Sequence, residues 1–391
     1  MANEDGHPGS RVESAAPRAA VVTPAGAGAI AVARVWGERA LAVVDAVFLP
    51  SSGASLAATR PGRPRLGRLG REGLGDQVVV VVEGPCAVEI QCHGGCAAPR
   101  AVMRALAQAG AMAVESDLAV IQTAASAIQA QANLDLARAA TLKSAQILLD
   151  QAAGALDREI AAIMELIGGD RAAALGRLKA LAALGGLGTR LVRGFTVALA
   201  GRPNVGKSRL LNAIVGRERA LVDPRPGTTR DVVTAAVALG GWPVELMDTA
   251  GERAGEGAIE RAGIERGRAA REQADLVILV LDISTQLAPA DRALIGEPGE
   301  RLVVANKIDL PPAWPLAEAG AAVGVSATNG EGLGELASLI AGRLVPAPPA
   351  PGAALPFRAS HIDAFKRVGE RMRAGDAAGA GEVLAALGHE G

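Results

Sequence analysis

Aromatic side chains are nearly missing from this chain: Phe, Trp and Tyr together make up 2% of its 391 residues, and Tyr does not occur. Recognition that stacks nucleobases needs such rings on an open face, so the composition argues against a stacking platform. An excess of charge is missing as well. With 40 Lys and Arg against 41 Asp and Glu the net charge is -1. That implies no broad basic surface and leaves any nucleic-acid contact to a local patch or a partner. The 3 cysteines cannot build a disulfide framework, and the chain reads as cytoplasmic. The opening residues MANEDGHPGSRVESAAPR contain no apolar core of the secretory kind. The longest apolar runs, 78–82 and 276–281, fall far short of the roughly 20 residues a membrane helix needs. They read as buried strands, and no membrane contact is expected. Cys86, Cys92, His93 and Cys96 crowd one stretch, but Cys92 and His93 are adjacent, so their side chains diverge, and no second CxxC pair exists. A Gly-rich strand-to-helix turn suits them better than zinc.

What is present is apolar bulk. A chain with 50% hydrophobic and 21% charged residues is expected to fold, and its length suits about two or three domains. Residues 1–18 read as a flexible polar leader. From 19 to 118 strands and helices mix: strands between 20 and 36, a helix at about 38–48, an Arg- and Gly-rich loop at 61–71, strands at 77–83 and 87–91, and a helix at 97–109. Residues 119–193 change to long Ala/Leu helices with turns at 168–170 and at Gly185-Gly186. Strands alternate with helices from 194 to 345. The last stretch, 346–391, starts with a Pro-rich linker, expected to be extended rather than packed, and ends in a short helical segment at 361–387.

The chemistry is concentrated in FTVALAGRPNVGKSRLLNAIVG, an apolar strand joined to a helix by a glycine-rich loop. Gly201, Gly206, Lys207 and Ser208 hold the fixed positions of a phosphate-binding loop, with Asn204, Val205 and Arg209 beside them. Glycines let successive N–H groups face the phosphates, and the helix adds its positive end. Lys207 is expected to reach the β- and γ-phosphates, and the Ser208 hydroxyl to ligate Mg2+. Asp248-Thr249-Ala250-Gly251 follows another strand; Asp248 suits the Mg2+ side, and the Gly251 N–H can sense a γ-phosphate. Asn306-Lys307-Ile308-Asp309 ends a third strand. A carboxylate at Asp309 can accept from guanine N1–H and the 2-amino group, which adenine cannot supply, so GTP is expected. Ser326-Ala327-Thr328 follows as the last base-side loop. Between these elements, PGTTRD carries two hydroxyls and few apolar anchors, as suits a switch ordered by the metal and the γ-phosphate. Thr229 is the expected second Mg2+ ligand, with Thr228 the neighbouring alternative. No Gln follows DTAG; Glu252 stands there. On pattern alone Glu256, Glu260 and Glu265 read as solvated helix charges.

Together GRPNVGKS, PGTTRD, DTAG, IERAGIERGRAAREQADLVILVLD, NKID and SAT resemble the MnmE (TrmE) family of tRNA uridine-34 modification GTPases. TPAGAGAIAVARVWG and VEIQCHGG are similar to that family's first domain. The resemblance implies an α/β P-loop GTPase domain inserted into an α-helical domain and preceded by an α+β folate-binding-like N-terminal domain. It implies K+ at Asn204, supplying the charge that an arginine finger provides elsewhere. The loop carrying Asp223, Arg225 and Thr228 would complete that site, with Asp223 in place of the family's usual Ser or Thr. Glu260, the first Glu of ERAGIER, would be the catalytic glutamate that orients the attacking water through a second water, with Lys207 the other catalytic residue through its reach to the β- and γ-phosphates. Glu252 departs from the apolar residue usual in the family. The resemblance further implies a formyl-tetrahydrofolate derivative at Arg34 and Glu89, a homodimer formed through the N-terminal domain, and an FAD-dependent MnmG-type partner acting with it on tRNA. The family segment PGEFTxRAFLNGKxDL has no counterpart after Gly110, and no cysteine follows Cys96, where the family has a C-terminal Cys-Ile-Gly-Lys-like motif. The expected activity is K+-stimulated GTP hydrolysis tied to wobble-uridine modification. A GTP-dependent switch without the modification chemistry and a ribosome-assembly GTPase of the Era or EngA type are the alternatives.

Overall fold

A computed structural model of the chain describes residues 16–23, 28–53, 55–70, 75–218, 234–248, 272–297, 301–320 and 323–388. It divides into two compact units, Met1–Ala125 and Ser126–Gly391.

The first unit is a sheet with helices against it. Its strands are β1 (Arg18–Val21), β2 (Ile30–Trp36), β3 (Phe48–Pro50), β4 (Pro64–Leu69), β5 (Asp76–Gly84), β6 (Ala87–His93) and β7 (Met112–Ala113). They lie in the order β3-β4-β5-β6-β2-β1-β7, antiparallel except for the short β1–β7 pair. Burial follows the period of two: β5 buries Val78, Val80 and Val82, and β6 buries Val88, Ile90 and Cys92. Helix α1 (Ala40–Asp45) contributes Val43 and Val44 to the same core, and α2 (Ala97–Gln108) adds Val102 and Leu106, one turn apart. Helix α3 (Ser116–Thr123) ends the unit.

Three expectations change here. The leader stops earlier than residue 18, because Arg18 already pairs with Trp36 in β1. The first helix ends at Asp45, not 48: its carboxylate accepts from Ser55 Oγ and the Leu56 N–H, both at 2.8 Å, and Phe48 is buried in β3. The Arg- and Gly-rich stretch is mostly strand β4, with Pro64 at its first position, where a missing N–H is tolerated.

The second unit combines a mostly parallel sheet with a helical bundle. The strands are β8 (Phe195–Ala200), β9 (Thr234–Leu239), β10 (Trp242–Asp248), β11 (Leu276–Asp282), β12 (Arg301–Asn306) and β13 (Val323–Val325). Their order is β13-β12-β11-β8-β10-β9, and only β9 runs antiparallel to its neighbour. Strands β8 and β11 read FTVALA and LVILVLD, the near-continuous apolar runs of strands covered on both faces. Before β8 come α4 (Ala127–Leu136), α5 (Leu142–Ala152), α6 (Ala155–Ile167), α7 (Arg171–Gly188) and α8 (Arg190–Arg193). Within and after the sheet come α9 (Lys207–Arg217), α10 (Pro289–Gly296), α11 (Leu333–Leu344), α12 (Ala359–Ala374) and α13 (Ala377–Leu387).

The last two helices return to the first ones, so the sheet is an insertion in the bundle. Arg358 pairs with Asp135 at 2.8 Å, His361 Nε2 lies 3.0 Å from Gln131 Oε1, and the Ala127 N–H donates to the Gly388 carbonyl at 3.1 Å. The Pro-rich stretch is packed, contrary to expectation. The buried amide of Gln151 donates to the Ala353 carbonyl at 3.0 Å and accepts the Leu355 N–H at 3.1 Å, while Asp150 accepts from the Gly352 N–H at 2.8 Å. Gly185-Gly186 is no turn either; it lies inside α7. A Cβ on Gly185 would come within 2.8 Å of Ile362, and one on Gly188 within 1.9 Å of the Pro356 carbonyl oxygen. These glycines let α7 approach the returning chain. Among the described residues, no helix is long and apolar enough to cross a membrane.

Candidate functional site

The carboxyl ends of β8, β10, β12 and β13 gather the sequence-predicted residues at one edge of the second sheet, where parallel strands present ligand-binding loops. The loop after β8 takes backbone conformations that dictate its residues. Gly201 has φ 140° and Gly206 φ 100°; a Cβ would come within 2.3 Å of the Val280 carbonyl oxygen at the first and 2.4 Å of Asn306 Nδ2 at the second. Asn204 adopts φ 66° without being glycine, a conformation that concentrates at functional turns. Helix α9 then starts at Lys207 with Gly206 as its N-cap.

Lys207 is buried, and its ammonium donates to the carbonyls of Gly201 and Arg202 at 2.8 and 2.9 Å. Burial pushes its pKa below the ordinary lysine range, opposed by the charge of Asp248. The next residue, Ser208, donates its hydroxyl proton to Asp248 at the end of β10. Arg209 is exposed beside it, and Val205 is buried beneath the loop.

The β12 end supplies the second half. Asn306 is 1% exposed; its Nδ2 donates to the Val205 carbonyl at 2.9 Å, and its Oδ1 accepts the Ala327 N–H at 3.2 Å. One amide thus ties the loop after β8 to the loop after β13. Lys307, at φ 68°, donates to the Asn204 carbonyl at 3.1 Å and to Asp282. Burial would raise the Asp282 pKa, but hydrogen bonds from Lys307 and Ser284 and the Lys307 charge outweigh it, and the carboxyl is held below its usual range. Exposed Asp309 accepts from Ser326 Oγ at 2.6 Å, and that buried hydroxyl also accepts from the N–H groups of Thr328 and Asn329, each at 3.3 Å.

The residues brought together are therefore Asn204, Val205, Gly206, Lys207, Ser208, Arg209, Asp248, Asn306, Lys307, Asp309, Ser326, Ala327 and Thr328. Asp223, Arg225, Thr228, Thr229, Thr249, Ala250, Gly251 and Glu260 lie outside the described residues. In the other unit, Arg34 and Glu89 are cross-strand neighbours on β2 and β6. Arg34 pairs not with Glu89 but with Glu83, at 2.6 Å, and Glu89 accepts from Gln91 at 2.8 Å.

A family model described as the GTP-binding protein TrmE N-terminus matches residues 18–119, and one described as a 50S ribosome-binding GTPase matches 196–307. The tRNA modification GTPase MnmE of Symbiobacterium thermophilum is 37% identical over 373 residues, covering 83% of this chain and 81% of that protein. That of Chloroflexus aurantiacus is 35% identical over 418 residues, covering 94% and 90%. The chain belongs to the MnmE family. It is accordingly a GTP-hydrolysing enzyme with the family's domain plan. Among solved structures, that of Era in complex with MgGDPNP and nucleotides 1506–1542 of 16S ribosomal RNA is 27% identical over 40% of this chain and 58% of that one, with a TM-score of 0.32.

Sequence reasoning left several of the site's supports unnamed. Asp282, Ser284, Arg202 and Asp291 were not singled out, although Asp291 two residues after Pro289 in PAD carries the signature of a helix first turn. Its pairing with Arg202 has no local signal.

Proposed function

We propose that this protein is a Mg2+-dependent, K+-stimulated GTPase that works in the modification of the tRNA wobble uridine, in the cytoplasm. The observation that carries the nucleotide part is the Asn306 bridge: one buried amide joins the loop bearing Lys207 to the loop bearing Ala327, so both serve a single ligand. Lys207 exchanges its two carbonyl partners for phosphate oxygens, a gain for a buried ammonium whose hydrogen-bond partners among the described residues are neutral carbonyls. Asp309, its plane fixed by Ser326, accepts from guanine N1–H and the 2-amino group. Each such charge-assisted bond is worth about 1.5–3 kcal/mol.

Ser208 Oγ and Asp248 converge as a pair of hard oxygen donors, a set that fits Mg2+. Bound there with Thr229, or its neighbour Thr228, the ion supplies positive charge to the β- and γ-phosphates. Thr249, Ala250 and Gly251 lie next in sequence, where an N–H can read the γ-phosphate. Glu260 orients the attacking water, and Asn204 forms the K+ site with the loop at Asp223, Arg225 and Thr228, which contributes largely through backbone carbonyls. The domains of this reading are 19–118, 119–193, 194–345 and 346–391, the first widened to take in Arg18 of β1 and the whole of α3. A formyl-tetrahydrofolate derivative at Arg34 and Glu89 belongs to it too. The Arg34 Nε is buried without a partner among the described residues and is flanked by carboxylates, which suits a planar ligand rich in donors and acceptors. Homodimerisation through the N-terminal domain and an FAD-dependent partner acting on tRNA complete the proposal.

The test is nucleoside mass spectrometry of tRNA from a strain lacking this gene, then complemented. The wobble modification is expected to disappear on deletion, return with the wild-type chain and stay absent with Glu260→Ala. Full modification in the deletion strain contradicts the tRNA role and leaves the GTP-switch reading.

A further inference from the structure

The loop ahead of Lys207 is tethered from outside at three points. Two tethers come from the end of β12 and the residue after it: Asn306 Nδ2 to the Val205 carbonyl and Lys307 Nζ to the Asn204 carbonyl. The third is a side chain of the loop itself. Arg202 Nε donates to Asp291 Oδ1 at 2.8 Å. Asp291 is 2% exposed, and its other oxygen accepts the Ala288 N–H at 3.0 Å, which pins the carboxylate to the first turn of α10. A buried carboxylate held this way cannot follow its partner, so the arginine must come to it. The backbone carbonyl of this same Arg202 is one of the two that receive the Lys207 ammonium. Nothing in the Gly-x-x-x-x-Gly-Lys-Ser pattern asks for an arginine here, since Arg202 fills an open position. With Gly201 before it at φ 140°, the peptide that enters Arg202 has little local resistance to rotation, whereas Pro203 restricts the peptide that leaves it.

We propose that the Arg202–Asp291 pair is a positioning device for the phosphate-binding loop and sets the rate of guanine-nucleotide exchange. The pair anchors Arg202 against the freedom that Gly201 leaves on its N-terminal side and, with it, the curve of the loop. A loop already held in that curve loses less freedom when phosphates arrive and holds them longer. The inference rests on the guanine-nucleotide reading of the site.

The experiment follows release of a fluorescent mant-GDP from the full-length protein with Mg2+ present. Wild type is compared with Arg202→Ala, Asp291→Asn, the double variant and Arg202→Lys. Asp291→Asn keeps an oxygen for the Ala288 N–H while removing the charge that holds Arg202. Each single variant is expected to release nucleotide about tenfold faster, a difference of about 1.4 kcal/mol. The double variant is expected to go no faster than either single one, because the pair acts as one unit. Arg202→Lys falls between wild type and Arg202→Ala. The KM for GTP rises while kcat moves by less than about twofold, a split that a general loss of folded structure would not give. Wild-type release from Arg202→Ala, or a double variant near a hundredfold, overturns the proposal. A wild-type protein that retains no mant-GDP overturns the nucleotide reading beneath it, and the pair's role with it.

Discussion

Acidifying the solution is expected to loosen the helical bundle through one residue, His361. The ring is 1% exposed on α12 and packs edge-on against Phe357, with centroids 4.7 Å apart. Its Nε2 faces Gln131 Oε1 at 3.0 Å, so the neutral ring donates there; Nδ1 is buried with no partner among the described residues. Charging the ring would place a proton on Nδ1 with no acceptor and set a cation beside Arg358. Burial first, and the Arg358 charge second, push the pKa from 6.5 down to about 4. The unfolded chain takes up the proton near 6.5, and the folded chain only near 4. Stability from this residue is therefore complete above 6.5 and is lost as pH falls from 6.5 towards 4. A separation of about two and a half units at about 1.4 kcal/mol each puts the full loss near 3 kcal/mol, a sizeable part of the ~5–15 kcal/mol typical of a domain. The assay is urea denaturation of wild type and His361→Gln, followed by helical circular dichroism at a series of pH values from about 7.5 to 4.5. The variant cannot charge, so it is expected to be the weaker protein at neutral pH and to close the gap by about 2–3 kcal/mol at the acid end. A gap that stays constant with pH would refute the reasoning.

The remaining expectations concern packing and turnover. Gly188→Ala drives a methyl group into the Pro356 carbonyl and is expected to cost about 1–3 kcal/mol in thermal unfolding. Gly186→Ala, with nothing within 4 Å of its new Cβ, is the control and should hold or gain stability. An equal loss in both would contradict the close approach of α7 to the returning chain. Glu260→Ala is expected to bind GTP as wild type does and to hydrolyse it far more slowly; wild-type turnover removes Glu260 from the mechanism. Replacing K+ by Na+ in the same hydrolysis assay should slow turnover, and equal rates would count against the Asn204 site.

How far the sequence reached depended on whether a requirement was local. Gly201 and Gly206 are dictated by the left-handed turn of their own backbone, so they stand in a contiguous, readable motif; Asn306 was readable from the run Asn306-Lys307-Ile308-Asp309, although its partner Val205 is 101 residues away. Arg202 and Asp291 are 89 residues apart, and Gln151 clamps a chain some 200 residues away; such partners are chosen by the finished fold. Gly185 was open to misreading because a glycine that serves close packing looks, in sequence, like one that serves a turn. The same holds for the 345–356 stretch, whose prolines suggest an extended linker while its carbonyls and N–H groups find partners on α5. In β4, Arg65 shares a face with Gly67 and Leu69, so the period of two is hidden by a charged residue and a glycine.

The central claim is that the loops after β8, β12 and β13 form one guanine-nucleotide site read by Asp309. Isothermal titration of the full-length protein, with Mg2+, against GTP, ATP and XTP tests it most directly. Wild type is predicted to bind GTP with ATP weaker by at least about a hundredfold, on the order of two lost charge-assisted hydrogen bonds. Asp309→Asn is predicted to lose GTP and gain XTP, whose 2-oxo group accepts from the new amide. Comparable binding of ATP and GTP, or unchanged GTP affinity in Asp309→Asn, would contradict it.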